Sequence, residues 1–250
     1  MTSTTRSTIG RREVLRGAAL GGAVLMTGAQ GACSSGGPDG SAAPSASKAV
    51  TVPRASPLIS ATTARNDRSR VLVVYYSRPG ENYSYGGRVD LSVGNTEVLA
   101  NLISSRLTEL RVRYDVHRLE AADRYPDDYD STVARNVREQ DADSRPALAN
   151  PVTSLDGYEV VLVGSPIWNV RPPMLMRTFT EDHDFTGRSV HPFVTYAVSG
   201  PGNTERDYAE ACRGAALGAG LAVRGETVKD DGPGAVTEWL DAMALPGRPS

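Results

Sequence analysis

The chain has 250 residues, 27 basic and 29 acidic side chains for a net charge of −2, 40% hydrophobic residues and two cysteines. That balance excludes a fibre, a wholly disordered chain and a multi-span membrane protein, and two cysteines are too few for a disulfide framework. The slight acidic excess also argues against a nucleic-acid surface.

In chain order, the first segment reads GRREVLRGAALGGAVLMTGAQGACSSGG. Adjacent Arg11 and Arg12, then Val14 and Leu15 and a weakly apolar run over 18–26, resemble a twin-arginine export signal. The run is too short to cross a bilayer, which takes roughly 20 apolar residues, and its glycines weaken any helix. Cys33 follows Gly31 and Ala32 and precedes a polar Ser/Gly/Pro stretch, a pattern that resembles a lipoprotein processing site, although Gln30 stands where a Leu-like residue is usual. Lipidation at Cys33 and simple cleavage nearby both imply export. Residues 1–32 therefore read as the signal. Residues 33–68 read as a Ser/Ala/Pro/Gly tether that buries too little apolar surface to offset its ordering entropy. A folded domain is expected over 69–247, held by its core, with Cys212 as a buried structural thiol.

Within that domain, short β-branched runs at 71–76, 160–164, 192–198 and 221–224, with a less apolar fifth at 114–119, predict strands. Continuous rather than alternating apolar runs are what a parallel sheet covered on both faces needs. Between them, Val98, Leu99, Leu102, Ile103, Leu107 and Leu110 make a one-sided stripe over 96–110, with Asn95 or Thr96 as its cap. A polar surface helix is expected over 127–140, a proline-initiated helix over 172–179, and further helices over 205–213 and 235–243. Strands alternating with helices predict an α/β, doubly wound parallel sheet of five strands. Its ligand crevice should lie beyond the carboxyl ends of the strands.

Three loops fall on that edge. After the first strand comes SRPGENYSYGGRVDLSVGNT, in which Ser77 at the strand end and Asn95 and Thr96 at the helix start offer hydroxyl and amide donors to an anion. Between them, 79–93 carries Gly and Pro turns suited to a hairpin-like flap, with Tyr83 and Tyr85 set either to cover a ligand or to contact a partner. The second loop, SPIWNVRPP, places Pro166, Ile167, Trp168 and Asn169 at the mouth; Trp168 is a flat platform for a ring system or, alternatively, core. In the third, SGPGNTERDY, Ser199, Gly200, Gly202 and Asn203 permit close backbone approach. His183 and His191 fall near this edge by sequence position. Acidic groups at 127–130 and 181–184 read as solvated faces or as a rim that steers a basic redox partner.

The order strand, SR…GNT, helix, then DGYEVVLVGSPIWNVRPP, then PFVTYAVSGPGNTERDY resembles the flavodoxin-like family, in its branch with a G-x-P-I-W second loop. The resemblance covers roughly residues 70–239. It implies strand order 2-1-3-4-5 and flavin mononucleotide (FMN) as cofactor. Ser77, Asn95 and Thr96 would hold the phosphate, with Arg78 either neutralising it or pointing away. Pro166, Ile167, Trp168 and Asn169 would line the ribityl chain and ring, with Trp168 stacking, and Ser199, Gly200, Gly202 and Asn203 would close the far side. No catalytic acid or nucleophile is expected, since a flavin carries its own redox chemistry. The function implied is an exported electron carrier, or a reductase of a small acceptor such as a quinone, whose electron donor and acceptor the sequence does not name. The alternative is a non-catalytic envelope binding protein that has lost the flavin.

Overall fold

The computed structural model describes residues 70–248, so the segments expected to be an export signal and a tether, Cys33 among them, lie outside the described residues. The first strand, β1 (Arg70–Tyr75), sends Val71, Val73 and Tyr75 into one apolar cluster and Leu72 and Val74 into another. Successive side chains of a strand point to opposite faces, so a strand buried on both must be central and covered twice.

After β1 the chain makes an antiparallel excursion, β2 (Gly80–Ser84) and β3 (Gly87–Leu91), turning through Tyr85 and Gly86, both at positive φ. Two successive left-handed residues give the tight turn whose twist matches a hairpin. The helix α1 (Asn95–Glu109) buries Leu99, Ile103 and Leu107 in the first cluster. Then β4 (Tyr114–Arg118), α2 (Tyr129–Asp141), β5 (Tyr158–Pro166), α3 (Met174–Glu181), β6 (Ser189–Tyr196) and α4 (Thr204–Ala211) alternate. Two short strands, β7 (Ala216–Leu217) and β8 (Leu221–Arg224), a 3-10 turn (Gly225–Thr227) and α5 (Val228–Asp241) follow.

The main sheet is parallel. Val73 of β1 stands level with Val116 of β4 on one side and Leu162 of β5 on the other; β6 follows β5, and both β7 and β8 pair with β6. In chain order this is 2-1-3-4-5 with one correction: the fifth position holds two pieces, so the sheet has six strands rather than five. The cause lies in β6. Pro192 has the same parity as Val190, whose carbonyl accepts from the Gly218 amide, so the N–H that proline lacks is missing on the outer side. The outer strand lets go over residues 218–220, where a Cβ on Gly218 would come within 2.7 Å of His191 Nε2.

His191 is thus half-buried, with Nδ1 3.3 Å from the Ala219 carbonyl, and burial pushes its pKa below the ordinary 6.5. The folded state resists the proton that the unfolded chain accepts, so stability is expected to fall as pH drops below about 6.5 and to level off below the folded pKa. Urea midpoints of the wild type and His191→Gln between pH 7.5 and 5.5 check this: the acid-side decline should be smaller in the variant.

The last helix starts at Val228, seven residues before the start expected at Ala235. It runs through Gly232-Pro233-Gly234 because Gly232 is where α1 approaches: a Cβ there would lie 2.8 Å from Leu102 Cδ1. On the other face Cys212 is 3% exposed, and burial pushes its thiol up to about 12, as suits a structural cysteine.

Candidate functional site

Beyond the carboxyl ends of β1, β5 and β6 lies a cavity of about 310 Å³. A crevice opens there because α1 leaves β1 towards one face while α3 leaves β5 towards the other.

One wall is built by Ser77, Arg78, Asn95 and Thr96. The N-cap position of α1 is Gly94, which has no side chain to cap with; instead the Ser77 hydroxyl accepts from the Glu97 amide at 3.0 Å. A Cβ on Gly94 would lie 2.8 Å from the Arg78 carbonyl carbon, so only glycine lets Ser77 close over the helix. Ser77, rather than Asn95 or Thr96, is therefore the cap. The Thr96 hydroxyl pairs with that of Thr195 at 2.7 Å and ties α1 to β6. The opening amides of a helix have no intrahelical acceptor, and with the helix dipole they form a seat for an anion.

Arg78 points away from that seat. It is 7% exposed and donates to the Pro126 and Asp127 carbonyls at 2.9 and 3.0 Å and to the Glu81 carbonyl. Burial lowers its pKa, and nearby carboxylates oppose the shift. The guanidinium is a strut joining the end of β1, the hairpin and the turn before α2. Further ties reinforce it: the Glu81 amide donates to the Asp127 carbonyl at 2.8 Å, and the Glu81 carboxylate accepts from the Tyr129 amide at 3.1 Å. Arg88 lies 3.8 Å over the Tyr129 ring and pairs with Asp130 at 3.2 Å.

The second wall is Pro166, Ile167, Trp168 and Asn169. Trp168 is half-buried: it lines the cavity, yet its ring also meets Tyr125 and Tyr76 edge-on at 5.0 and 5.8 Å. Each of the two expectations, platform and core, describes part of it. The loop turns through Asn169 and Val170 at φ 49 and 66, closed by the Trp168 amide donating to the Arg171 carbonyl at 2.9 Å. A left-handed conformation costs a β-branched residue about 1–2 kcal/mol, so this turn is held by its surroundings. Gln140 of α2 does part of the holding, accepting from Asn169 at 3.0 Å and donating to the Trp168 carbonyl at 3.1 Å.

The third loop divides. Ser199 lines the cavity; Gly200, Gly202 and Asn203 are not among its lining residues. Gly202 packs against Val170, and the Asn203 amide donates to the Val170 carbonyl at 2.7 Å, so this end of the loop buttresses the second. Neither His183 nor His191 lines the cavity. His183 sits before β6, at the opposite sheet edge, with its ring nitrogens 2.8 and 3.0 Å from the Phe179 and Val152 carbonyls.

Sequence reasoning missed the contribution of α2. Tyr129, Thr132, Val133, Asn136 and Val137 face the cavity, and the repeat of two exposed valines four apart was the available signal. It also missed Asn82 of the hairpin and the pair Gly225 and Glu226 after β8. Beneath Trp168 the wall is stiffened by Tyr125, whose hydroxyl donates to Glu139 at 2.6 Å while Arg135 donates to the same carboxylate at 2.7 Å. Burial and that carboxylate push the Tyr125 phenol far up, so it stays protonated.

A crystal structure of a candidate flavoprotein from Bacteroides uniformis is 25% identical, with a TM-score of 0.53 over 69% of this chain and 98% of that one. A second, from Bacteroides eggerthii, is 24% identical, with a TM-score of 0.55 over 71% of this chain and 99% of that one. A flavoprotein from Lactobacillus acidophilus, crystallised with FMN, is 18% identical at a TM-score of 0.45, covering 65% and 97%. No curated protein matches the sequence. A flavodoxin family model matches residues 87–243, from the second strand of the hairpin to just past the end of α5 and more than half of the chain. The parallel sheet and the crevice between β1 and β5 agree with that match: the chain belongs to the flavodoxin family.

Proposed function

We propose that the domain binds FMN in this cavity and works as an exported flavin-dependent redox protein, either an electron carrier or a reductase of a small acceptor such as a quinone. The observation that carries the reading is the meeting, in one cavity, of a helix-start anion seat and a half-buried tryptophan. The residues fit the group. Ser77, Asn95 and Thr96 would take the phosphate on hydroxyl and amide donors, and the buried charge of Arg78 adds a favourable field without direct contact. Trp168, Ile167 and Asn169 would line the ring and chain, held by Gln140, with Ser199 opposite. Bound there, the flavin supplies one- or two-electron transfer, and the chain supplies orientation and access.

The test is a titration of the purified protein with FMN, read by visible spectrum and fluorescence. Saturable binding is expected, and Trp168→Ala should weaken it by about 1.5 kcal/mol, roughly tenfold, while far-ultraviolet circular dichroism is unchanged. A protein that stays colourless in excess FMN would sink the reading and favour a binding protein that has lost the flavin.

Export rests on the sequence pattern alone: Arg11 and Arg12 before a short apolar run, and Cys33 before a polar tether. The twin-arginine route carries folded, cofactor-loaded proteins, which suits a flavoprotein. Lipidation at Cys33 predicts a membrane-fraction protein that Cys33→Ser releases; a chain that stays cytoplasmic in both forms refutes export.

A further inference from the structure

The hairpin is more than an addition beside the cavity. Its stem is tied to the turn before α2 by Arg78, Glu81 and Arg88. Its tip reaches the other way, the Tyr85 amide donating to Glu226 Oε1 at 3.4 Å. Glu226 follows Gly225, which packs so closely on α1 that a Cβ there would lie 3.2 Å from Asn95 Cγ. The hairpin therefore arches over the head of α1, and Asn82 and Tyr83 on its inner side line the cavity.

From this geometry we infer that the hairpin is the specificity element for the phosphate end of the ligand: it admits a flavin that terminates in a phosphate and excludes one whose phosphate continues into a second nucleotide. The inference rests on the FMN reading above. A terminal phosphate ends at the anion seat, beneath the arch. A phosphodiester seated there must lead its continuation out past the hairpin, whose Asn82 and Tyr83 line the cavity on that side. Charge acts in the same direction. Glu226 is the one carboxylate among the cavity-lining residues and stands at the tip of the arch, while Arg78, the one cation, is engaged with backbone carbonyls. A second phosphate led out past the tip would meet the Glu226 carboxylate there.

The experiment is a set of equilibrium titrations of the full chain with FMN, flavin adenine dinucleotide and riboflavin, read by fluorescence. The wild type should prefer FMN over the dinucleotide by about 100-fold, the discrimination typical of a steric pocket. Replacing residues 84–87 with Asn-Gly, the pair suited to a two-residue hairpin turn, keeps the Tyr83–Arg88 pair, removes the tip contact with Glu226 and should narrow that preference to about tenfold or less. If circular dichroism shows that this variant does not fold, the double variant Glu226→Ala with Arg88→Ala loosens the tip and a stem tie at unchanged chain length and takes the same comparison. Equal binding of FMN and the dinucleotide by the wild type, or a preference that survives loosening, overturns the hairpin's role and leaves the FMN reading standing. Binding of none of the three flavins removes the FMN reading, and this inference with it.

Discussion

Gly164→Ala is expected to lower stability by about 3 kcal/mol, at the upper end of what overpacking costs, and to reduce Tm by roughly 6–12 °C in a domain of this size. Gly164 of β5 is level with Phe193 of β6, and Phe193 is fully buried in the first apolar cluster. A Cβ on Gly164 would overlap three carbons of that ring, the farthest of them at 2.8 Å. Close-packed interiors transmit such a clash instead of absorbing it. Because Gly164 immediately precedes the loop carrying Trp168, displacement of β5 should also weaken FMN binding. Thermal unfolding by circular dichroism reads the effect. Adding Phe193→Leu to Gly164→Ala should recover part of the loss, since the smaller side chain yields space, and a double variant no more stable than Gly164→Ala alone contradicts the assigned contact.

Arg78→Lys should cost about 3 kcal/mol, although it keeps the charge. Arg78 bridges three carbonyls on two segments, those of Pro126 and Asp127 in the turn before α2 and that of Glu81 in the hairpin, with a planar fork that a single ammonium does not reproduce. Hydrogen bonds from a charged donor contribute about 1.5–3 kcal/mol each, and a buried carbonyl left unpaired is penalised further. The loss should be local as well as global. Amide exchange at Glu81, whose N–H bonds the Asp127 carbonyl, should speed up by more than exchange in β1 or β5. Equal acceleration throughout would show that Arg78 is not the strut between the hairpin and the sheet.

These two positions also show how far the sequence could be read. Gly164 was legible only as part of an apolar run, because the ring it makes room for comes from a strand nearly thirty residues later. Arg78 was read as either meeting the phosphate or pointing away, and its direction depends on carbonyls at Pro126 and Asp127, in a turn whose position no local pattern reveals. The same limit applies to α2. Its charged composition indicates a surface helix, but Val133 and Val137 face a cavity that exists only once β1, β5 and β6 are assembled. The early start of α5 was hidden because Gly-Pro-Gly reads as a helix breaker, and only Leu102 of α1 explains why the gap is tolerated.

What the sequence determined by itself was periodic or local. Continuous β-branched runs required a parallel sheet covered on both faces, the apolar stripe of α1 required one partner face, and the PIW and GNT loops placed the site at one sheet edge. These features follow from side-chain spacing along a single strand or helix. Tertiary structure alone decided the division of the fifth strand beside Pro192, the capping of α1 by Ser77 across Gly94, the buttressing role of Gly202 and Asn203, and the arch of the hairpin onto Glu226. Each depends on the distance between segments far apart in the chain, and close approach of that kind is set by packing rather than by the propensity of either segment.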